Sequence, residues 1–116
     1  TALALSNTSV TIDLSNAATA TYGTAARKTV GAVQALWAGN VVFDHNLAYT
    51  GVGNDRDPIL TAIGGTTPNN VVNAYRVEDV NLDGTVKYTG PNNDRDPILV
   101  NIGGTVPTNV LLEQLP

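Results

Sequence analysis

The sequence predicts a mainly β domain with two short helices, its N-terminal strands packed on a pseudo-two-fold pair of loop–short helix repeats. Three observations predict it. Residues 49–72 (YTGVGNDRDPILTAIGGTTPNNVV) recur as residues 88–111 (YTGPNNDRDPILVNIGGTVPTNVL), offset by 39 without a gap and identical at 17 of 24 positions. The N-terminal stretch alternates apolar and polar residues with period two, the pattern of half-buried strands. Charged residues make up only 14% of the chain, against roughly 25% in an average soluble domain. Thr, Asn, Gly and Ala replace them, a composition that favours strands and turns.

The 116 residues suit one domain, 1–116. Within it, 1–22 is an N-terminal strand segment and candidate donor strand, 35–73 is repeat 1 and 74–112 is repeat 2. Ala2 to Leu5 and Val10 to Leu14 alternate and read as strands. Ala18 to Tyr22 is a weaker strand candidate before Gly23, and Thr29 to Ala38 is another, with a helix as the alternative. In each repeat Asp57-Pro58 or Asp96-Pro97 resembles an N-cap and first helical residue. One to two helical turns follow (Ile59 to Ile63, Ile98 to Ile102), stopped by Gly64-Gly65 and Gly103-Gly104. Extended connectors lead to Pro68 and Pro107, and short strands are expected near 70–77 and 109–112. Large aromatics are scarce, so Val, Ile, Leu and Ala must supply the core, with Trp37 expected among them.

The carboxylates are the chemically informative residues. Seven of the ten fall in two windows: Asp44, Asp55 and Asp57, then Asp79, Asp83, Asp94 and Asp96. Crowding like charges is costly unless a cation neutralises them. Residues 79–84 read Asp79-Val80-Asn81-Leu82-Asp83-Gly84, the opening of an EF-hand-type calcium loop. Side chains at its first, third and fifth positions converge as the chain curls, Gly84 permits the sharp turn, and Thr85 offers its carbonyl. The twelfth position, which should be acidic, is Gly90. The expected second site is therefore Asp79, Asn81, Asp83, Thr85 and, after a lengthened loop, Asp94; Asp96 is either a helix cap or a further ligand. The first copy is degraded: Asn40, Asp44, the Asn46 carbonyl, Asp55 and Asp57 remain, but Val42 has no side-chain oxygen and His45 replaces the glycine. The alternative there is a pseudo-repeat without metal. Ca2+ is the expected cofactor, one ion with a second site open. The fold class is then N-terminal strands on paired calcium loop–short helix repeats.

Arg56 and Arg95 each lie between two Asp, either as a binding hook or as a brace for those carboxylates. Tyr49 and Tyr88 are either a stacking pair for sugars or packing residues. Asn7-Thr8-Ser9 matches a glycosylation acceptor and equally a polar turn. No basic stripe accompanies the net charge of −4, which argues against nucleic acid. No stretch is apolar enough to span a membrane. Cys is absent, so thiolate sites and disulfides are excluded. One His, no Cys and no nucleophile-elbow Ser give no support to catalysis, and the chain is expected not to be an enzyme. A start at Thr1 without Met is expected of a mature or fragmentary product whose leader was removed.

The loop at 79–86 resembles type I dockerin repeats, departing from them at the twelfth position and in length. The segments Leu36 to Asn40, Asp79 to Gly84, Lys87 to Gly90, Asn93 to Leu99, Ile102 to Thr105 with Pro107 to Asn109, and Glu113 to Pro116 are similar to C-terminal repeats of large secreted and surface proteins of Bacteroidetes-type bacteria. The likeness covers about residues 23–116 and implies an extracellular or cell-surface location and calcium. Two functional readings follow. In the first, the chain is a structural subunit of an extracellular filament or surface appendage, its copies joined head to tail when residues 1–14 add to a neighbour's sheet edge. In the second, it is a dockerin-like anchoring module of a larger secreted protein, presenting Ile59, Leu60, Ile98 and Leu99 to a surface-protein partner.

Overall fold

The two Asp-Pro-Ile-Leu segments fold as helices in the computed structural model, which describes residues 7–112. Helix α1 spans Arg56–Ala62 and α2 spans Arg95–Asn101, seven residues each. Helices this short do not persist alone; these are held at both ends and by one buried Ile apiece, Ile59 and Ile98. The cap is not Asp57 or Asp96. It stands three residues earlier: Asn54 Oδ1 accepts the Asp57 N–H at 2.9 Å, and Asn93 Oδ1 accepts that of Asp96 at 2.9 Å. The Asn amides donate back to Asp57 and Asp96, at 2.9 and 2.8 Å. Proline misled the sequence reading because it lacks only an N–H, and any residue of the first turn can spare one. At the other end, the Gly65 N–H reaches the Leu60 carbonyl at 2.8 Å and the Gly64 N–H reaches that of Thr61 at 3.0 Å. This Schellman closure needs the left-handed backbone of Gly64 (φ 113°), and Gly103-Gly104 repeat it.

Among the described residues, six short strands form three two-stranded antiparallel sheets. They are β1 (Lys28–Val30), β2 (Val33–Ala35), β3 (Asn46–Ala48), β4 (Val71–Val72), β5 (Val86–Lys87) and β6 (Val110–Leu112). The fold is thus mainly small antiparallel sheets with two short helices, and the described residues close no barrel. The chain divides into two compact units, one built on residues up to Trp37 and one on Ala38–Leu112.

In the first unit, β1 and β2 form a hairpin with Val30 opposite Val33. Gly31, at φ 60°, opens its two-residue turn, a sign that a side chain would resist. The single strand or helix expected over 29–38 is therefore two strands. Arg27 gathers the carbonyls of Leu14, Asn16 and Thr19 at 2.6–3.0 Å. Residues 10–14 and 18–22, expected as strands, pair with nothing in a sheet and run as irregular chain, turns and bends. The expectation for Ala2 to Leu5 lies outside the described residues. Trp37 is half-buried rather than core; its Nε1 donates to the Ala25 carbonyl at 2.7 Å and Lys28 Nζ lies 5.9 Å from its ring centroid.

The second unit is built by exchange between the repeats. Strand β3 pairs with β6, Leu47 opposite Leu111, and β4 pairs with β5, Val72 opposite Val86. Adding 39 converts β3 into the β5 position and β4 into that of β6. Each repeat's last strand therefore pairs with the strand that follows the other repeat's loop. Helix α1 packs on β5 and α2 on β3. The buried core consists of Val41, Leu47, Ile59 and Ile63 with Val80, Val86, Ile98 and Ile102, the second four each 39 residues beyond the first. The helix of each repeat covers the loop strand of the other.

Candidate functional site

Two loops precede the helices, residues 40–48 and 79–87, and each is fastened by a buried carboxylate from the start of its helix. Asp94, fully buried, takes the N–H groups of Val80 and Asn81 on Oδ1, at 2.8 and 3.3 Å, and that of Lys87 on Oδ2 at 2.7 Å. Asp55 does the same with Val41, Val42 and Ala48, at 2.8, 3.1 and 2.9 Å. One side chain thus ties the two ends of its loop together. Burial pushes both carboxyl groups above the usual 3.8, against the opposing pull of these three bonds. The nearby carboxylates Asp79 and Asp44 push the same way. This role escaped the sequence reading because the partners lie seven, thirteen and fourteen residues away.

Inside the second loop the Asp and Asn side chains turn toward their own backbone. Asp79 is buried; its Oδ1 accepts the Asp83 N–H at 3.1 Å and its Oδ2 that of Gly84 at 2.9 Å. Asn81 Oδ1 accepts the Asp83 N–H at 2.9 Å, and Asp83 Oδ1 that of Thr85 at 2.9 Å. Leu82 (φ 59°) and Gly84 (φ 83°) supply the left-handed corners. Each Asp79 oxygen has accepted one bond, so a lone pair remains on each. The ion pairs among the described residues join Arg56 to Asp57, Arg76 to Glu78 and Arg95 to Asp96, and none reaches Asp79, Asp83 or Asp94.

The first loop differs at the same points. Asn40 occupies the Asp79 position, and its amide both donates to the Asp44 carbonyl and accepts the Asp44 N–H. Asp44 in turn accepts the Asn46 N–H at 2.7 Å. A carboxylate cannot donate, so an amide closes this loop in a way open to Asn40 and closed to Asp79. The left-handed residue is Phe43 (φ 60°), 39 before Leu82, and not His45.

Asp57 and Asp96 are exposed and turned toward Asn54 with Arg56 and toward Asn93 with Arg95. The Asn54 amide and Arg56 hold the Asp57 carboxyl below its usual range. Arg56 also stacks on Tyr49 at 5.2 Å and Arg95 on Tyr88 at 5.1 Å, contacts that suit the bracing role. Among the described residues, no group of three or more His, Cys, Asp or Glu side chains is gathered to hold a metal. Any ion in the second loop must therefore draw on the Asn81 amide and backbone carbonyls as well as carboxylates. An open groove of about 690 Å³ lies beside α1, lined by Val42, Val52, Pro58, Thr61, Arg76 and Glu78, the last two paired with each other. No described helix is long and apolar enough to cross a membrane.

Ile59 and Ile98 are fully buried, and Leu60 and Leu99 pack against the same core. Ile59 and Ile98 are therefore closed to a partner, contrary to the anchoring-module reading of these four as one exposed face, while Leu60 and Leu99 are half-buried. Comparison with protein-family models, with curated proteins and with solved structures yields no match.

Proposed function

We propose that the chain is a non-enzymatic, calcium-binding structural subunit of an extracellular bacterial filament or surface appendage, whose copies join head to tail through the N-terminal segment. One observation carries the assembly reading. Residues 9–12 take no turn, bend or sheet pairing, and among the described residues nothing bonds to their backbone. Within them Val10 and Ile12 alternate with polar residues and are 60% and 52% exposed. Free N–H and C=O groups beside alternating apolar side chains are what an open sheet edge accepts.

Calcium is supported by the second loop. Asp79, Asn81, Asp83 and the Thr85 carbonyl would hold the ion, a set of hard oxygen donors suited to Ca2+. Asp79 is a buried carboxylate that no ion pair among the described residues neutralises. Asp94 acts beside the ion as a fastener of the loop, its bonds to three N–H groups already made. Bound only by the folded chain, the ion would rigidify the loop and add to stability. The first loop, closed by the Asn40 amide, would stay empty.

Deleting residues 1–14 tests the assembly. At low concentration, electron microscopy of the full chain is expected to show filaments, and of the shortened chain to show none. Filaments unchanged by the deletion would remove strand donation.

A further inference from the structure

The exchange of strands between the repeats follows a rule that a second copy can satisfy. Strand β4 ends the first repeat and pairs forward with β5, which follows the next loop. Strand β6 ends the second repeat and has no following loop strand within Ala38–Leu112, so it turns back onto β3. In a neighbouring copy, β3 stands where the next loop strand would be. We infer that β6 of one copy pairs with β3 of a second copy, in the register seen within one chain, as an interface between copies.

The bonds are already specified, since Leu111 faces Leu47 and Val110 faces Ala48 whichever copy supplies β6. Releasing β6 uncovers the buried Leu47 and Ala48 opposite it, and the β6 of a second copy covers them again. Val110 and Leu112 are 52% and 59% exposed in the closed chain, and only Leu111 is half-buried. Residues 103–109, which carry β6, are exposed throughout and open with Gly103-Gly104. Their bond to the first repeat is from Thr50 Oγ1 to the Pro107 carbonyl, 2.9 Å, which a second copy can equally donate. Exchange of an identical element costs few contacts, and a head-to-tail exchange that does not close continues as a chain of copies. At low concentration the chain's own β3 wins; raising concentration favours the neighbour's. The inference uses neither calcium nor residues 1–14, so it stands or falls separately from the reading above.

The chain has no Cys, which makes a clean test available. Ala48→Cys and Val110→Cys are made in separate chains, mixed, unfolded, refolded together at high concentration and oxidised. The expected product is the mixed disulfide between copies, several-fold above either homodisulfide and rising with concentration. Chains that stay unlinked, or link in statistical proportion, overturn the inference. The double variant Ala48→Cys/Val110→Cys adds a readout independent of mixing. Oxidised at low concentration it should run as an intrachain-linked monomer on a denaturing gel, and oxidised after refolding at high concentration as disulfide-linked multimers. Intrachain linkage alone at both concentrations overturns the inference as well.

Discussion

Replacing Asp94 by Asn keeps the shape of the side chain and removes one acceptor. The remaining oxygen can still serve Val80 and Asn81, but the new amide faces the Lys87 N–H, whose bond of 2.7 Å is lost. A buried donor without a partner costs about 1–3 kcal/mol, and two bonds fall from charged to neutral strength at about 0.5–1.5 kcal/mol each. Relief of the buried charge, seen in the raised pKa of Asp94, offsets part of this. A net loss of about 2–4 kcal/mol remains. At about 4–8 °C per kcal/mol for a domain of this size, Tm falls by about 8 °C or more. Thermal melting by circular dichroism measures it, with Asp96→Asn as the exposed control that shifts little. The loss is expected equally in calcium and in chelator, because the fastening bonds are to backbone. A Tm within about 2 °C of the parent, or a loss that disappears in chelator, refutes the argument that Asp94 is a fastener.

Three further outcomes follow from named contacts. Gly39→Ala places a Cβ 2.9 Å from Ile98 Cγ1 on a backbone at φ 109°, so denaturant melts should show a loss of about 1–3 kcal/mol. Asn93→Ala removes the cap of α2 and should cost about 1 kcal/mol, with Asn54→Ala matching it in α1, read from the same melts. The pH dependence in chelator has a definite sign. Asp55 and Asp94 have pKa values raised by burial, so their share of stability is fullest below 3.8 and declines as pH climbs through the higher folded values. Asp57, lowered by the Asn54 bond and Arg56, contributes above 3.8 and loses that contribution as pH falls through its lower folded value. Urea melts across this range should show the first slope flattened in an Asp55→Asn/Asp94→Asn variant.

The sequence made the repeat legible because identity at fixed spacing needs no physics to detect. Both helices were legible for the same reason and because paired glycines end them. Their caps were misplaced by three residues, since Pro58 and Pro97 were taken as first positions when the first turn accepts proline more widely. Strands β3 and β5 went unseen: two or three residues inside an acidic loop carry no period. The hairpin of β1 and β2 was read as one element because Gly31 was the only sign of its turn. Alternation in residues 10–14 was real, but side-chain period reports which faces differ, not whether the backbone is paired. The spacing of Asp79, Asn81 and Asp83 signals a tight loop, and the three side chains do close one on its own backbone. The fastening by Asp55 and Asp94, and the exchange of strands between repeats, depend on partners distant in sequence and lay beyond any local pattern.

The central claim, an ion among Asp79, Asn81, Asp83 and the Thr85 carbonyl, is tested most directly by melting the intact chain in about 10 mM calcium and again in chelator. At the affinity of about 10⁻⁴ to 10⁻³ M that weak calcium modules show, the ion is worth about 1.4–2.7 kcal/mol under these conditions. The account predicts a Tm higher by about 6 °C or more with calcium, abolished by Asp83→Ala and kept in Asp44→Ala. Identical melting curves in calcium and in chelator contradict it.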